Sequence, residues 1–235
     1  MKKDQYVIAC VESPADAAIA LPWARHFAER LNHKGLMVLH VASRKGDDSW
    51  LQGLGVPYVS MTGDWRTAIE GLPTVFNGIL AVAAVDPAAP HTALAHPRTL
   101  LRQFHNCKTA YLVVGTPLAP PTTAALTLTH RREGKEKLVW ASYLARFLDC
   151  RLLLAHPEYR DEDLLRRWQN NMRFVDKMFT PFHIDYEAPV LTRNTRVDMA
   201  ALDHLHPDLL IAMTTDTREG RDGARGISCK APVIT

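Results

Sequence analysis

Residues 6–41 read YVIACVESPADAAIALPWARHFAERLNHKGLMVLHV, and the pattern of this stretch decides the fold. Its first six residues, 6–11, are almost all apolar, as in a strand that is buried on both faces of a parallel sheet. Ser13 and Pro14 suit the start of a helix, because serine caps free amides and proline fits the first turn. Apolar residues then recur at steps of three and four until a second apolar run at 36–41. The stretch therefore predicts a strand, a helix and a second strand.

The chain contains a second copy of this pattern. Trp140 follows Trp23 by 117 residues, and His156 follows His40 by 116. Such self-similarity indicates two similar units. Alternating helices and buried strands predict an α/β fold of two tandem open parallel sheets flanked by helices, with right-handed crossovers. We assign the domains to residues 1–116 and 123–235 and a proline-rich linker to 117–122.

The two predicted domains differ in one helix. In the second domain a long amphipathic helix at about 161–180 carries one apolar stripe, formed by Leu164, Trp168, Met172, Val175 and Phe179. The shortened first domain has no long second helix. The stripe predicts core packing, with partner binding as the alternative if Trp168 or Phe179 is exposed. Further strands are predicted at 56–61, 79–85 and 110–114, and at 126–129, 183–190, 209–213 and 232–235. Short helices are predicted at 64–72, 98–105 and 195–204.

Composition excludes several classes of protein. A net charge of +3 is too small to indicate binding to nucleic acid or to a membrane. The apolar run at 79–85 is far shorter than the ~20 residues of a membrane span. Residues 6–9 are too short for the ~7–15-residue apolar core of a secretion signal. The four cysteines have no metal-binding spacing and lie in or beside predicted strands, which favours a reducing, cytoplasmic compartment: Cys10, Cys107, Cys150 and Cys229.

The ordered set of these landmarks resembles the universal stress protein family, here as a tandem of two domains. The resemblance rests on four stretches that together span nearly the whole chain. They are residues 7–14, the Trp23-Ala24-x-x-Phe27-Ala28 helix, Leu39-His40-Val41 with its second copy, and the closing residues 229–234.

The resemblance implies a five-stranded parallel sheet in each domain, of the adenine-nucleotide-hydrolase type. Family domains usually pair through their last strands, so 110–114 and 232–235 would join the two copies into an intrachain pseudo-dimer, and a homodimer of chains is also compatible. Many members bind ATP or AMP and are not well-defined enzymes. Binding members have an acidic residue after strand one and a Gly-x2-Gly-x9-Gly-Ser/Thr loop after strand four, whose open backbone amides approach phosphates.

The first domain departs from this loop pattern. Ala84 and Pro87 stand at the first two glycine positions, and the third falls at Pro97-Arg98. Since proline has no amide hydrogen to donate, we expect no nucleotide there. Glu12 stands at the acidic position, where a solvated or capping role is the alternative.

The second domain departs differently. Thr214 and Thr217 replace the first two glycines, Gly226-Ile227-Ser228 approximates the third, and Thr129 takes the acidic position. The same loop is basic and glycine-rich, with Arg218, Gly220, Arg221, Gly223 and Arg225. Arginine side chains together with free backbone amides could bind a phosphate. The alternative is a solvated loop without a ligand. His130, followed by two arginines, adds positive charge or forms a solvated turn.

No catalytic or metal centre is predicted. Ser13 and Ser228 fit caps or turns better than nucleophiles. His40 and His156 end equivalent strands, where hydrogen-bonded structural histidines are common. His204-x-His206 offers two imidazoles without a third ligand.

The leading hypothesis is a stress-response protein that binds an unknown protein partner, with no catalytic centre and no cofactor. The alternative is an ATP or AMP sensor that uses the second domain alone, and a hydrolase of bound nucleotide is a third. The alternative would use Thr129, His130, Thr214, Arg218, Gly223, Gly226 and Ser228.

Overall fold

The computed structural model describes residues 5–32, 34–42, 48–70, 77–84, 109–131, 135–191, 202, 204–211 and 233–234. Contacts divide the chain into two units, Met1–Pro120 and Pro121–Thr235. The described strand pairs within each unit are parallel. Helices pack against both sheets, so the predicted α/β fold with parallel sheets flanked by helices is confirmed. No helix within the described ranges is long and apolar enough to cross a lipid bilayer.

The first unit has the strand order β3-β2-β1-β4-β5. Its elements are β1 (Tyr6–Val11), α1 (Pro14–Arg30), β2 (Gly35–Ala42), a 3-10 helix (Ser49–Leu54), β3 (Tyr58–Thr62), α2 (Trp65–Glu70), β4 (Gly78–Ala84) and β5 (Ala110–Val114). The chain runs outward from β1 to β3 and returns on the other side of β1 at β4. The crevice beyond the carboxyl ends of β1 and β4 is therefore where an open parallel sheet binds ligands.

The second unit has the order β11-β10-β6-β7-β8, with β9 pairing to β7. Its elements are β6 (Thr123–Thr127), α3 (Lys135–Leu148), β7 (Arg151–Pro157), α4 (Glu162–Phe179), a 3-10 helix (Thr180–Phe182), β8 (Tyr186–Glu187), β9 (Val190–Leu191), β10 (Leu209–Ile211) and β11 (Val233–Ile234). Here the direction changes between β6 and β10, so the corresponding crevice lies beyond their carboxyl ends.

Helix starts follow from local hydrogen bonding. The Ser13 hydroxyl accepts the Asp16 amide at 3.2 Å, so the prediction that Ser13 caps α1 is confirmed. Asp64 accepts the Thr67 amide at 2.9 Å at the start of α2. In both helices a side-chain oxygen thus pairs with a first-turn amide that has no partner within the helix.

The long helix of the second unit packs as its stripe predicted. Val175 and Phe179 of α4 are buried, and Trp168 is half-buried against other aromatic rings. The stripe is thus mainly core. Asn171 is also buried in this stripe, which an apolar pattern did not predict.

Two predicted strands of the second unit were misplaced. The first strand spans Thr123–Thr127 instead of 126–129, because small buried alanines extend it toward the linker. The predicted strand at 183–190 is interrupted and appears as the two-residue strands β8 and β9. Pro189 separates them, since proline has no amide hydrogen to donate to a ladder. The predicted helix at 98–105 and most of that at 195–204 lie outside the described residues.

Candidate functional site

The acidic residue at the crevice edge of the first unit already has a side-chain partner within that unit. Glu12 follows β1 directly, and the indole N–H of Trp65, at the start of α2, donates to its carboxylate. The Trp65 side chain is only 2% exposed. A flat aromatic ring with one donor thus already occupies the space beside the acidic residue. The Glu12 side chain therefore accepts a tertiary hydrogen bond, which neither a solvated role nor a capping role predicted.

The neighbouring strands bring a polar cluster together around His40. Its Nδ1 lies 3.0 Å from Ser60 Oγ and 3.5 Å from Asp48 Oδ1, and the Ser60 hydroxyl donates to the Asp48 carboxylate. The ring of Trp50 packs edge-on against the imidazole, with centroids 5.5 Å apart. The imidazole is therefore hydrogen-bonded and almost fully buried, which agrees with the predicted structural role.

This cluster contains serine, histidine and aspartate but lacks the geometry of a nucleophile. A catalytic triad needs the serine and the acid on opposite ring nitrogens, so that imidazole takes the serine proton. Here Ser60 and Asp48 approach the same nitrogen, and the serine proton points to the carboxylate. The arrangement holds His40 in place without activating Ser60.

The crevice edge of the second unit is organised by Tyr159 and Asn171. The Tyr159 hydroxyl accepts the backbone amide of His130 at 2.9 Å. The Asn171 side-chain amide donates to the carbonyls of Thr129 and Arg131, at 2.8 and 3.0 Å. These contacts fix the chain that leaves β6, so Thr129 and His130 are placed by α4 and by the segment after β7.

Aromatic rings cover the end of β7 in this unit. His156 and Trp168 have ring centroids 4.1 Å apart, and Tyr159 lies 6.1 Å from Trp168. His130 meets Tyr159 edge-on at 5.8 Å. The His156 Nδ1 is 2.9 Å from the Pro157 carbonyl, so this histidine is also hydrogen-bonded as predicted.

Two buried nitrogens of this cluster have no hydrogen-bond partner among the described residues: His130 Nδ1 and Trp168 Nε1. A buried polar atom without a partner costs free energy, so each such atom calls for an explanation. A bound ligand or the undescribed part of the chain would supply the missing partners.

The same edge is cationic. Burial and the charges of Arg131 and Arg167 lower the pKa of His130, so its imidazole is neutral at pH 7. Burial raises the pKa of Tyr159, and the hydrogen bond from the His130 amide offsets part of that rise. On α3, the ammonium of Lys137 is buried and donates to the Thr127 hydroxyl at 2.7 Å. Arg131 and Arg167 therefore act on a neutral imidazole, and Lys137 adds a third cation at the end of β6.

The structure describes two of the predicted site residues. Thr129 and His130 lie together at the edge of the second unit. The other predicted site residues lie outside the described residues: Thr214, Arg218, Gly223, Gly226 and Ser228. Within the described ranges no group of three metal-ligating side chains occurs, and His204 and His206 stand at a surface turn.

Sequence reasoning missed several residues that shape both edges. Asp48 follows β2, Ser60 lies on β3 and Trp65 begins α2, so no spacing rule joins them to His40 or Glu12. Asn171 and Trp168 are three residues apart on α4, and a polar residue inside the apolar stripe was the one available signal.

Comparisons with known proteins give the fold. No family model matches the chain, and no curated protein matches it in sequence. A universal stress protein from Archaeoglobus fulgidus has a TM-score of 0.63 at 8% identity, covering 97% of this chain and 94% of that one. A putative universal stress protein from Pseudomonas aeruginosa has a TM-score of 0.62 at 13% identity, covering 99% and 92%.

The same fold occurs in a protein with a different description. The cytoplasmic domain of a prokaryotic cation chloride cotransporter has a TM-score of 0.54 at 12% identity, covering 98% of this chain and 94% of that domain. At these identities the likeness establishes the universal-stress-protein-like fold and leaves ligand and partner to the chemistry of the site.

Proposed function

We propose that this chain is a stress-response protein of the universal stress protein type, with two tandem domains, that acts by binding a partner and has no catalytic centre. One observation carries the proposal: Glu12, the acidic residue after β1, already accepts a hydrogen bond from the indole of the buried Trp65. A bound nucleotide would need that acceptor.

The rest of the first unit supports the same conclusion. Ala84 ends β4 in full burial, and Pro87 follows where binding members of the family have glycine. The polar groups around His40 are bonded to one another, which leaves no activated nucleophile. The fold's occurrence as the cytoplasmic domain of a cotransporter is compatible with a role in interaction.

Calorimetric titration of the whole chain with ATP and with AMP, each with and without magnesium, tests this proposal. We expect no binding with a micromolar dissociation constant. A phosphate-release assay with ATP should stay at the level of a buffer blank. Micromolar binding that is unaffected by substitutions in the second unit would place a nucleotide in the first unit and contradict the proposal. Phosphate release that depends on the protein would contradict the lack of a catalytic centre.

A second candidate function is favoured by the second unit alone. Its edge combines two buried nitrogens without partners in the described residues, His130 Nδ1 and Trp168 Nε1, with the cations Arg131, Lys137 and Arg167. Cations beside ring nitrogens that lack a described partner suit an anionic ligand with a flat ring, such as ATP or AMP. In this case the chain is a nucleotide sensor.

Variants separate the two candidates. If nucleotide binding is found, Lys137→Met should weaken it at least tenfold, since it removes a buried cation. Lys177→Met, an exposed lysine in the last turn of α4, is the matched control and should leave affinity within about twofold. Replacing both Arg218 and Arg221 by alanine tests the basic loop, and unchanged affinity in that variant would remove it from the site.

A further inference from the structure

The outer face of α1 in the first unit forms one wall of an apolar groove. The groove has a volume of about 660 Å³, within the usual range of small-ligand pockets. The opposite wall is the 3-10 helix, which is anchored by the fully buried Leu51. Half-buried Leu21, Trp50 and Leu54 provide most of its apolar surface.

A proline inside α1 gives this groove an acceptor. Pro22 lies within the helix and lines the groove together with Ala18, four residues earlier. Because proline has no amide hydrogen, the Ala18 carbonyl cannot receive the usual helical hydrogen bond. Ala18 and Pro22 are both exposed residues of the groove, and this carbonyl is the acceptor that we assign to a ligand.

One cation lines the same groove. Arg25 is exposed and has no carboxylate partner in the part of the chain that the structure describes. A guanidinium binds a carboxylate through two parallel hydrogen bonds. The indole of Trp50 offers a flat face or edge for another aromatic ring.

From these contacts we propose that the groove binds a small aromatic carboxylate that carries a phenolic hydroxyl. The carboxylate pairs with Arg25, the ring packs on Trp50 and Leu21, and the hydroxyl donates to the Ala18 carbonyl. Trp50 also touches His40, so the bound molecule lies next to the polar cluster at the sheet edge. This site is separate from both crevices and does not depend on the function proposed above.

Nuclear magnetic resonance of the whole chain tests the site, with para-hydroxyphenylpropionate as the probe. The protein has five tryptophans, and Trp50→Phe identifies the indole N–H signal of Trp50. Titration should shift this signal with a dissociation constant on the order of 0.1–1 mM, as expected for a ligand of this size. The signals of Trp140 and Trp168 should not move. No shift at Trp50, or equal shifts at all tryptophans, would overturn the proposal.

Two variants and two altered probes locate the probe in the groove. Arg25→Gln should weaken binding about tenfold, whereas Arg30→Gln, an exposed arginine of α1 outside the groove, should change it less than twofold. Gly53→Phe should abolish binding, because Gly53 lines the groove and a Cβ at this position meets no atom within 4 Å, which leaves room for the larger side chain. The neutral amide of the probe should bind about tenfold more weakly, and phenylpropionate, which lacks the hydroxyl, more weakly than the probe. An unchanged affinity in both the Arg25→Gln and the Gly53→Phe variants would refute the site.

Discussion

Equivalent histidines end the second strand of each unit, and their surroundings differ. In the first unit His40 joins Ser60 and Asp48, and Trp65 supplies the donor that Glu12 accepts. In the second unit the rings around His156 leave the N–H of Trp168 without a described partner. A sheet edge whose polar groups bond to each other is stable without a ligand, whereas an edge with orphaned donors gains from one.

Charge sharpens this comparison. Carboxylates dominate the first edge, with Glu12, Asp16 and Asp48. Among the described residues cations dominate the second, where burial and then the charges of Arg131 and Arg167 lower the pKa of His130. Among the described residues the two edges therefore differ in the sign of their charge, so an anion that suits the second edge does not suit the described part of the first.

The largest expected effect comes from replacing each edge tryptophan by alanine. Trp65→Ala should lower the free energy of unfolding of the first unit by about 3–5 kcal/mol, since it opens a cavity and removes the donor to Glu12. Trp168→Ala should cost about 1–2 kcal/mol because that ring is only half-buried. Denaturant titration followed by circular dichroism measures both losses.

Phenylalanine variants isolate the indole N–H, because both tryptophans then lose the same volume. Trp65→Phe should remain destabilising by about 1–3 kcal/mol beyond the loss of volume. Trp168→Phe should show no such excess, since its N–H has no partner in the described structure. An equal loss of unfolding free energy in Trp65→Phe and Trp168→Phe would contradict the proposed difference in hydrogen bonding between the two edges.

Asn171 tests whether α4 holds the second edge in place. Asn171→Ala removes two hydrogen bonds to the carbonyls of Thr129 and Arg131 and should cost about 1–3 kcal/mol. The signals of His130 should broaden or shift in nuclear magnetic resonance spectra because its backbone loses this support. Asn170→Ala, an exposed neighbour on the same helix, is the control and should change stability by less than about 0.5 kcal/mol.

A pH titration compares one histidine from each unit. Burial and a nearby arginine lower the pKa of both His26 and His130 in the folded chain, although Glu29 opposes the shift at His26. The unfolded chain then binds more protons just below pH 6.5, so stability should fall as the pH drops through that value toward the folded pKa values. His130→Gln should reduce this dependence. Titration of the imidazole signals checks it, and a midpoint at or above the ordinary value would contradict it.

The smallest effect concerns the buried thiols. Burial, with Asp208 and Asp149 nearby, raises the pKa of Cys150 to about 12, so roughly one thiol in ten thousand is ionised at pH 8. In a chain carrying Cys107→Ser and Cys229→Ser, Cys10 and Cys150 should react with a thiol reagent only after local opening. The order of labelling reports which unit opens first, and rapid labelling of the native chain would show that a thiol is accessible.

Much of the fold was readable from sequence because it depends on local pattern. Uninterrupted apolar runs gave β1, β2 and β5, and Ser13 and Pro14 gave the start of α1. Prediction failed where local signals were weak. The start of β6 was missed because its alanines are weak strand formers, and periodicity predicted one strand where Pro189 separates β8 from β9. Burial, once the sheet forms, outweighs such marginal preferences.

The sequence by itself determined the α/β framework, the buried stripe of α4 and the positions of His40 and His156, because helical and strand periodicity are properties of neighbouring residues. The contacts of those histidines were decided by the tertiary structure alone. Ser60, Asp48 and Trp65 reach the first edge, and Tyr159, Trp168 and Asn171 reach the second, from segments that only the parallel sheet brings together. Whether an edge is closed or left with orphaned donors depends on these long-range contacts, which no local pattern encodes.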